Sequence, residues 1–104
     1  MAERNHCELT GVIVALDAPA QTPAGIPLRR LWLEHRSRQE EAGAPREVRA
    51  RIAVLLTGDR ARSPALAEGQ RVRAAGFLAR AGYRGEARDR LQLHAETLEH
   101  LEAD

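Results

Sequence analysis

Five short segments of alternating or wholly apolar character, with space for only a turn or two of helix between the third and the fourth, leave this chain few ways to bury a core. The first, Glu8–Leu16 (ELTGVIVAL), is apolar on both faces: Leu9, Ile13 and Ala15 fall on one side, Val12, Val14 and Leu16 on the other. A strand covered on both sides reads this way. Gly11 within it points to a bulge or sharp coil, where the strand bends from one sheet to another. A loop rich in Pro, Ala and Gly, Asp17–Pro27, follows. In the second segment, Leu28–Arg36, Leu31, Leu33 and His35 point one way and Arg30, Trp32, Glu34 and Arg36 the other. Ser37–Arg46 reads as a polar connection. The third segment, Glu47–Leu56, sets Val48, Ala50 and Ile52 against Arg49 and Arg51, then becomes wholly apolar at Val54–Leu56. In Thr57–Gly69 a helical turn is expected to open at Ser63-Pro64, a good N-cap followed by a good first helical residue. The fourth segment, Arg71–Arg80, starts with Arg71 and Arg73 opposite Val72 and Ala74. A loop through Gly82, Tyr83, Arg84, Gly85 and Glu86 leads to the fifth, Arg90–Leu101, which alternates Leu91, Leu93 and Ala95 and then shifts phase at Leu98.

This order, β-β-β-α-β-β, is that of an all-β, five-stranded OB-fold Greek-key barrel with one short helical turn between its third and fourth strands. A small four- or five-stranded sandwich is the competing reading. At 104 residues the chain is expected to form one domain, with its ends, residues 1–7 and 102–104, frayed. Trp32, Phe77 and Tyr83 are its only aromatic residues, so the core must come from Leu, Val, Ile and Ala.

Several classes of function are disfavoured. No apolar run approaches the roughly 20 residues needed to span a bilayer, and MAERNHCELT does not read as a secretory leader, so a cytoplasmic protein is expected. Cys7 is the single cysteine; it permits no internal disulfide or cysteine metal cluster, and reads as a small half-buried thiol beside the first strand. The four histidines, His6, His35, His94 and His100, lack metal-ligand spacing, and His35 and His94 read as hydrogen-bonded structural residues. No metal or other cofactor is expected. Ser37 and Ser63 are the only serines, there is no phosphate-cradling glycine loop, and the acids do not cluster for acid–base work. A non-enzymatic protein is expected.

Charge is more informative in its distribution than in its total. The net charge is +1, and every basic residue is Arg. Residues 46–90 carry eleven Arg against five acids, whereas residues 91–104 carry four acids and no base. Such a block can give a folded chain a basic face; a solvated arginine surface without a ligand is the plainer alternative. A single-strand binder needs a cationic groove for phosphates and flat side chains for unpaired bases. Arg30, Trp32 and Arg36 share one face of the second segment. Arg49 and Arg51 share a face of the third, with Arg46 just before it, and Tyr83, Arg84, Arg88 and Arg90 lie around the last loop. In OB-folds the middle strands and the loops between strands 1–2 and 4–5 form the ligand surface. These ten residues are the candidate nucleic-acid site. The alternative for Trp32 is a dimer contact or a place under a loop.

Several stretches resemble the primosomal replication protein N family (PriB), related in fold to bacterial single-stranded DNA-binding proteins. Gly25-Ile-Pro27 is followed by Leu33-Glu-His-Arg-Ser37 and Gln39-Glu-Glu-Ala-Gly43; Gly69, Val72, Gly76 and Phe77 match a GxxVxxxGF pattern, and Leu93-His-Ala-Glu96 an LHAE pattern. The resemblance implies a homodimeric OB-fold without enzymatic activity that binds single-stranded DNA and associates with the PriA helicase and DnaT in replication restart. Arg36 matches the family's basic contact in LEHRS, and Arg84, Arg88 and Arg90 fall where the family has lysines. Where family members can carry aromatics, this chain has Ala44 and Arg49, so either Trp32 and Tyr83 are expected to take over part of the stacking or binding is expected to be more purely electrostatic. The alternative function is a protein-docking OB module whose basic face meets an acidic protein partner.

Overall fold

The computed structural model describes residues 2–82 and 84–102. Six strands form in chain order: β1 (Cys7–Leu16), β2 (Ala20–Gln21), β3 (Pro27–Glu41), β4 (Ala44–Thr57), β5 (Arg71–Arg80) and β6 (Leu91–His100). A 3-10 turn, Gly58–Arg62, separates β4 from β5, and one turn of helix, α1 (Glu86–Asp89), precedes β6. The sheet runs β1-β5-β6-β4-β3, and pairing of β3 with β1 closes it into a five-stranded barrel, with β2 attached to β3. This is the OB-fold architecture that the segment order predicts.

Alternation decides what the barrel encloses. Ile13, Leu31, Leu33, Val54, Leu56, Val72 and Leu93 are fully buried, and each such side chain contributes about 1.5–3 kcal/mol of hydrophobic stabilisation. Ala61 of the 3-10 turn and Leu66 beyond it join the same cluster. Cys7, half-buried, packs against it. Closure depends on two bulges. In β1, Ile13 pairs with Leu33 and Ala15 with Trp32, which leaves Val14 as an extra residue. The phase therefore flips, and Leu16 rather than Ala15 joins Ile13 on the core side, correcting the uniform alternation expected of this segment. The bulge lies beyond Gly11, whose own role is a close approach: a Cβ there would overlap the Glu34 carbonyl oxygen. In β6, Gly76 pairs with Ala95 and Ala75 with Thr97, so Glu96 is the extra residue that produces the phase shift read at Leu98.

Two other local expectations are corrected. Ser37–Arg46 is no loop. β3 and β4 pair without a break from Leu28/Thr57 to Glu41/Ala44, and only Ala42 and Gly43 turn. Both have positive φ, 52° and 80°, as a two-residue type I′ hairpin turn requires. The side chains there are mostly polar because the ribbon is exposed on both faces, which erases the periodicity that marks a strand. The helical turn between β4 and β5 precedes Ser63 instead of opening at it. Ser63 Oγ accepts a hydrogen bond from the Ala65 amide (3.4 Å), a local turn that competes with helix capping. Ahead of β1, the Asn5 side chain donates to the Leu78 carbonyl (2.7 Å) and accepts from the Leu78 amide (2.9 Å). Of the C-terminal residues expected to fray, 103 and 104 lie outside the described residues.

Candidate nucleic-acid interface

β4 and β6 pair in parallel only from Ala53/Gln92 to Leu55/His94. Before that point the two strands part, and the fork leaves a recess of about 270 Å³ on the outer side of the barrel. Arg30 and Trp32 of β3, Arg51 of β4, and Arg90 with Leu91 at the start of β6 line it, and Ala81 of the β5–β6 loop forms part of the wall. Strand alternation sends Leu31 and Leu33 into the core and so leaves Trp32 on the outer face, half-buried. A second recess of about 290 Å³ adjoins it and shares Arg30, Ala81 and Gln92; Asp17 and Ala18 of the β1–β2 loop form its far side. The result is a groove across β3 and β4 between the two loops.

The Arg30 guanidinium carbon lies 5.8 Å from the Trp32 ring centroid, within cation–π range. Arg30 Nε also donates to Asp17 Oδ2 at 2.7 Å. Arg51 pairs with Glu34 at 2.9 Å. That hydrogen bond, with the Arg51 charge, holds the Glu34 carboxyl below the usual carboxylate range; desolvation opposes the shift, and Arg36 and Arg49 add smaller contributions to it. Glu34 is thus ionised at neutral pH and neutralises part of the basic face.

Beyond Glu34 on β3 and before Ala53 on β4, the two strands pair only with each other and extend as a ribbon. Arg36 faces Arg49 there, and both line a shallow depression of about 330 Å³ with Ser37, Arg38, Glu47 and Val48. Arg46, expected beside them, lies on the opposite side. The register is unbroken, so Arg46 shares the side of Val48 and Ala50, and it is paired with Glu41 at 2.7 Å. The base of the ribbon is fixed by His35: its Nδ1–H donates to the Thr10 carbonyl (2.7 Å) and its Nε2 is hydrogen-bonded to Ser37 Oγ (2.8 Å), the structural role expected of this residue.

Of the loop candidates, Arg90 reaches the recess. Arg84 and Arg88 are exposed on the loop and α1, Arg88 with Asp89 at 3.9 Å, and Tyr83 lies outside the described residues. Of the acidic residues of the last strand, Glu99 pairs with Arg73 (2.8 Å) across β5 and β6. On the outer side of those strands the His94 ring stacks on Phe77, with centroids 4.9 Å apart. The sequence reading missed Asp17 and Glu34. The Glu34–Arg51 pair follows by counting outward from the Ala42-Gly43 turn once that turn is recognised, whereas nothing local marks Asp17. No group of three or more metal-ligating side chains occurs among the described residues. No helix among them is long and apolar enough to cross a membrane.

Known proteins resemble this arrangement over almost its whole length. A family model for single-strand binding proteins, described as another single-strand binding protein family, matches residues 5–97. Replication restart protein PriB of Vibrio cholerae is 35% identical over 99 residues, which span 93% of this chain and 98% of that protein. PriB of Photobacterium profundum is 39% identical over 98 residues, 91% and 92% of the two chains. The solved structure of PriB from Ralstonia solanacearum superposes with a TM-score of 0.81 at 28% identity, covering 94% of this chain and 98% of that one. The single-stranded DNA binding protein from Thermus aquaticus superposes with a TM-score of 0.76 at 28% identity, over 95% of this chain and 50% of that one.

Proposed function

This chain belongs to the PriB family of single-strand binding proteins, and on that premise we propose that it holds single-stranded DNA along the groove between the β1–β2 and β5–β6 loops as a non-enzymatic accessory protein of replication restart. The observation that carries this reading is the convergence of Arg30 and Trp32 of β3, Arg51 of β4 and Arg90 of the β5–β6 loop on one outward recess. Guanidinium groups bind phosphates bidentately and stack on bases, and a half-exposed indole offers a platform to an unpaired base of any sequence. Arg36 and Arg49 continue the cationic path along the ribbon, and Arg84 and Arg88 are exposed on the β5–β6 loop and α1.

Family membership further supports a cytoplasmic homodimer that bridges DNA to the PriA helicase and DnaT. Cys7–Leu9 of β1 pairs with β5 on one edge and, among the described residues, has no strand on the other, an edge that a second copy can cover.

The test is a titration of short dT oligomers and a matched duplex at two salt concentrations, read by the single Trp. Emission of Trp32 is expected to be quenched by the single strand, with affinity falling on added salt at a slope of about −0.7 per phosphate contacted. Trp32→Ala is expected to weaken binding by about 1–3 kcal/mol, measured by the anisotropy of a labelled oligomer. Unchanged emission together with no salt-sensitive retention of oligonucleotide would overturn the reading and leave a docking module for an acidic protein partner.

A further inference from the structure

Arg30 stands between the two recesses of the groove and is the one charged side chain that lines both. Its position is set by Asp17. The Asp17 amide donates to the Arg30 carbonyl (2.9 Å), Arg29 Nε donates to the Asp17 carbonyl (3.1 Å), and Arg30 Nε donates to the Asp17 carboxylate (2.7 Å). Two of these bonds use the Asp17 backbone, so its main chain is held at the rim whatever the side chain of Arg30 does. The third draws the guanidinium across the groove and over the indole. In this arrangement Arg30 divides the two recesses, covers part of the Trp32 face, and has its charge matched by an acid of the same chain.

We propose that Asp17 is a latch that stands in for phosphate: it keeps Arg30 folded over Trp32 in the free protein, and a backbone phosphate of the bound strand displaces it. The proposal rests on the single-strand reading above and makes Asp17 a positioning residue that lowers affinity. A carboxylate and a phosphate present the same acceptor chemistry to a guanidinium, so they compete for Arg30. Both side chains of the pair are partly exposed, and an exposed pair is weak enough to be exchanged. Release of Arg30 merges the recesses into one groove and uncovers the indole for stacking.

The test is a double-substitution cycle on the full chain with a labelled dT oligomer. Asp17→Asn removes the charge and leaves both backbone bonds available. Asp59→Asn, on the 3-10 turn and outside the groove, makes the same change in net charge. Asp17→Asn is expected to tighten binding about two- to fivefold, the size of one exposed ion pair, with Asp59→Asn close to wild type. In an Arg30→Gln background the gain from Asp17→Asn is expected to vanish, because there is nothing left to release. A gain matched by Asp59→Asn, or one that persists without Arg30, overturns the latch while the single-strand reading stands. If neither wild type nor variants retain the oligomer, that reading fails and the latch fails with it.

Discussion

Arg36 and Arg49 lie directly opposite each other in the β3–β4 register, on the outer face of the ribbon, and neither takes part in an ion pair among the described residues. Like charges facing each other destabilise a strand pair, so a fold under selection for stability alone has no reason to hold them there. An anion laid between them removes the repulsion. Arg49→Gln is therefore expected to raise the unfolding free energy by about 0.2–1 kcal/mol in denaturant titrations and to weaken oligonucleotide binding in the same protein. A loss of stability would show that Arg49 serves the fold and not a ligand.

Ala42 has φ of 52° in the two-residue turn that joins β3 to β4, a conformation an L side chain adopts at a cost. Asn tolerates it and Asn-Gly is the preferred pair for such a turn. Ala42→Asn should stabilise the protein by about 1 kcal/mol, seen as a higher urea midpoint at unchanged slope.

Gly76 sits where β5 meets the bulge of β6, and a Cβ there would overlap the His94 carbonyl oxygen. The obstacle is backbone, which cannot rotate aside. Gly76→Ala is expected to cost about 3 kcal/mol or more. A shift in thermal midpoint of only a degree or two would mean that the two strands are free to separate slightly.

Burial holds the His94 imidazole below its ordinary pKa, and the Gln92 amide nitrogen, 3.3 Å from His94 Nε2, donates to a ring nitrogen that accepts only in the neutral form. The folded state thus favours neutral His94 while the unfolded chain takes up a proton near pH 6.5. The resulting stability is fully present above that pH and is lost as pH falls through the lowered folded value. Denaturant midpoints should drop between pH 7 and 5 in the wild type and drop less in His94→Gln. Equal slopes would exclude His94 as the source.

The amino-acid order was enough for the barrel and for the outward set Arg30, Trp32, Arg36, Arg49 and Arg51, because a strand with one buried face writes that face into its sequence every second residue. It also marked the β6 bulge, since an extra residue shifts the apolar phase at Leu98. Where both faces meet water, as from Ser37 to Arg46, there is no phase to read, and only backbone pairing across a two-residue turn showed a ribbon there and placed Arg46 on its far side. Which arginines are neutralised was likewise decided in three dimensions. Asp17 and Arg30 are thirteen residues apart and meet because β1 hydrogen-bonds to β3. The gathering of Arg30, Trp32, Arg51 and Arg90 into one recess exists because β4 and β6, distant in the chain, stand apart just before they come side by side.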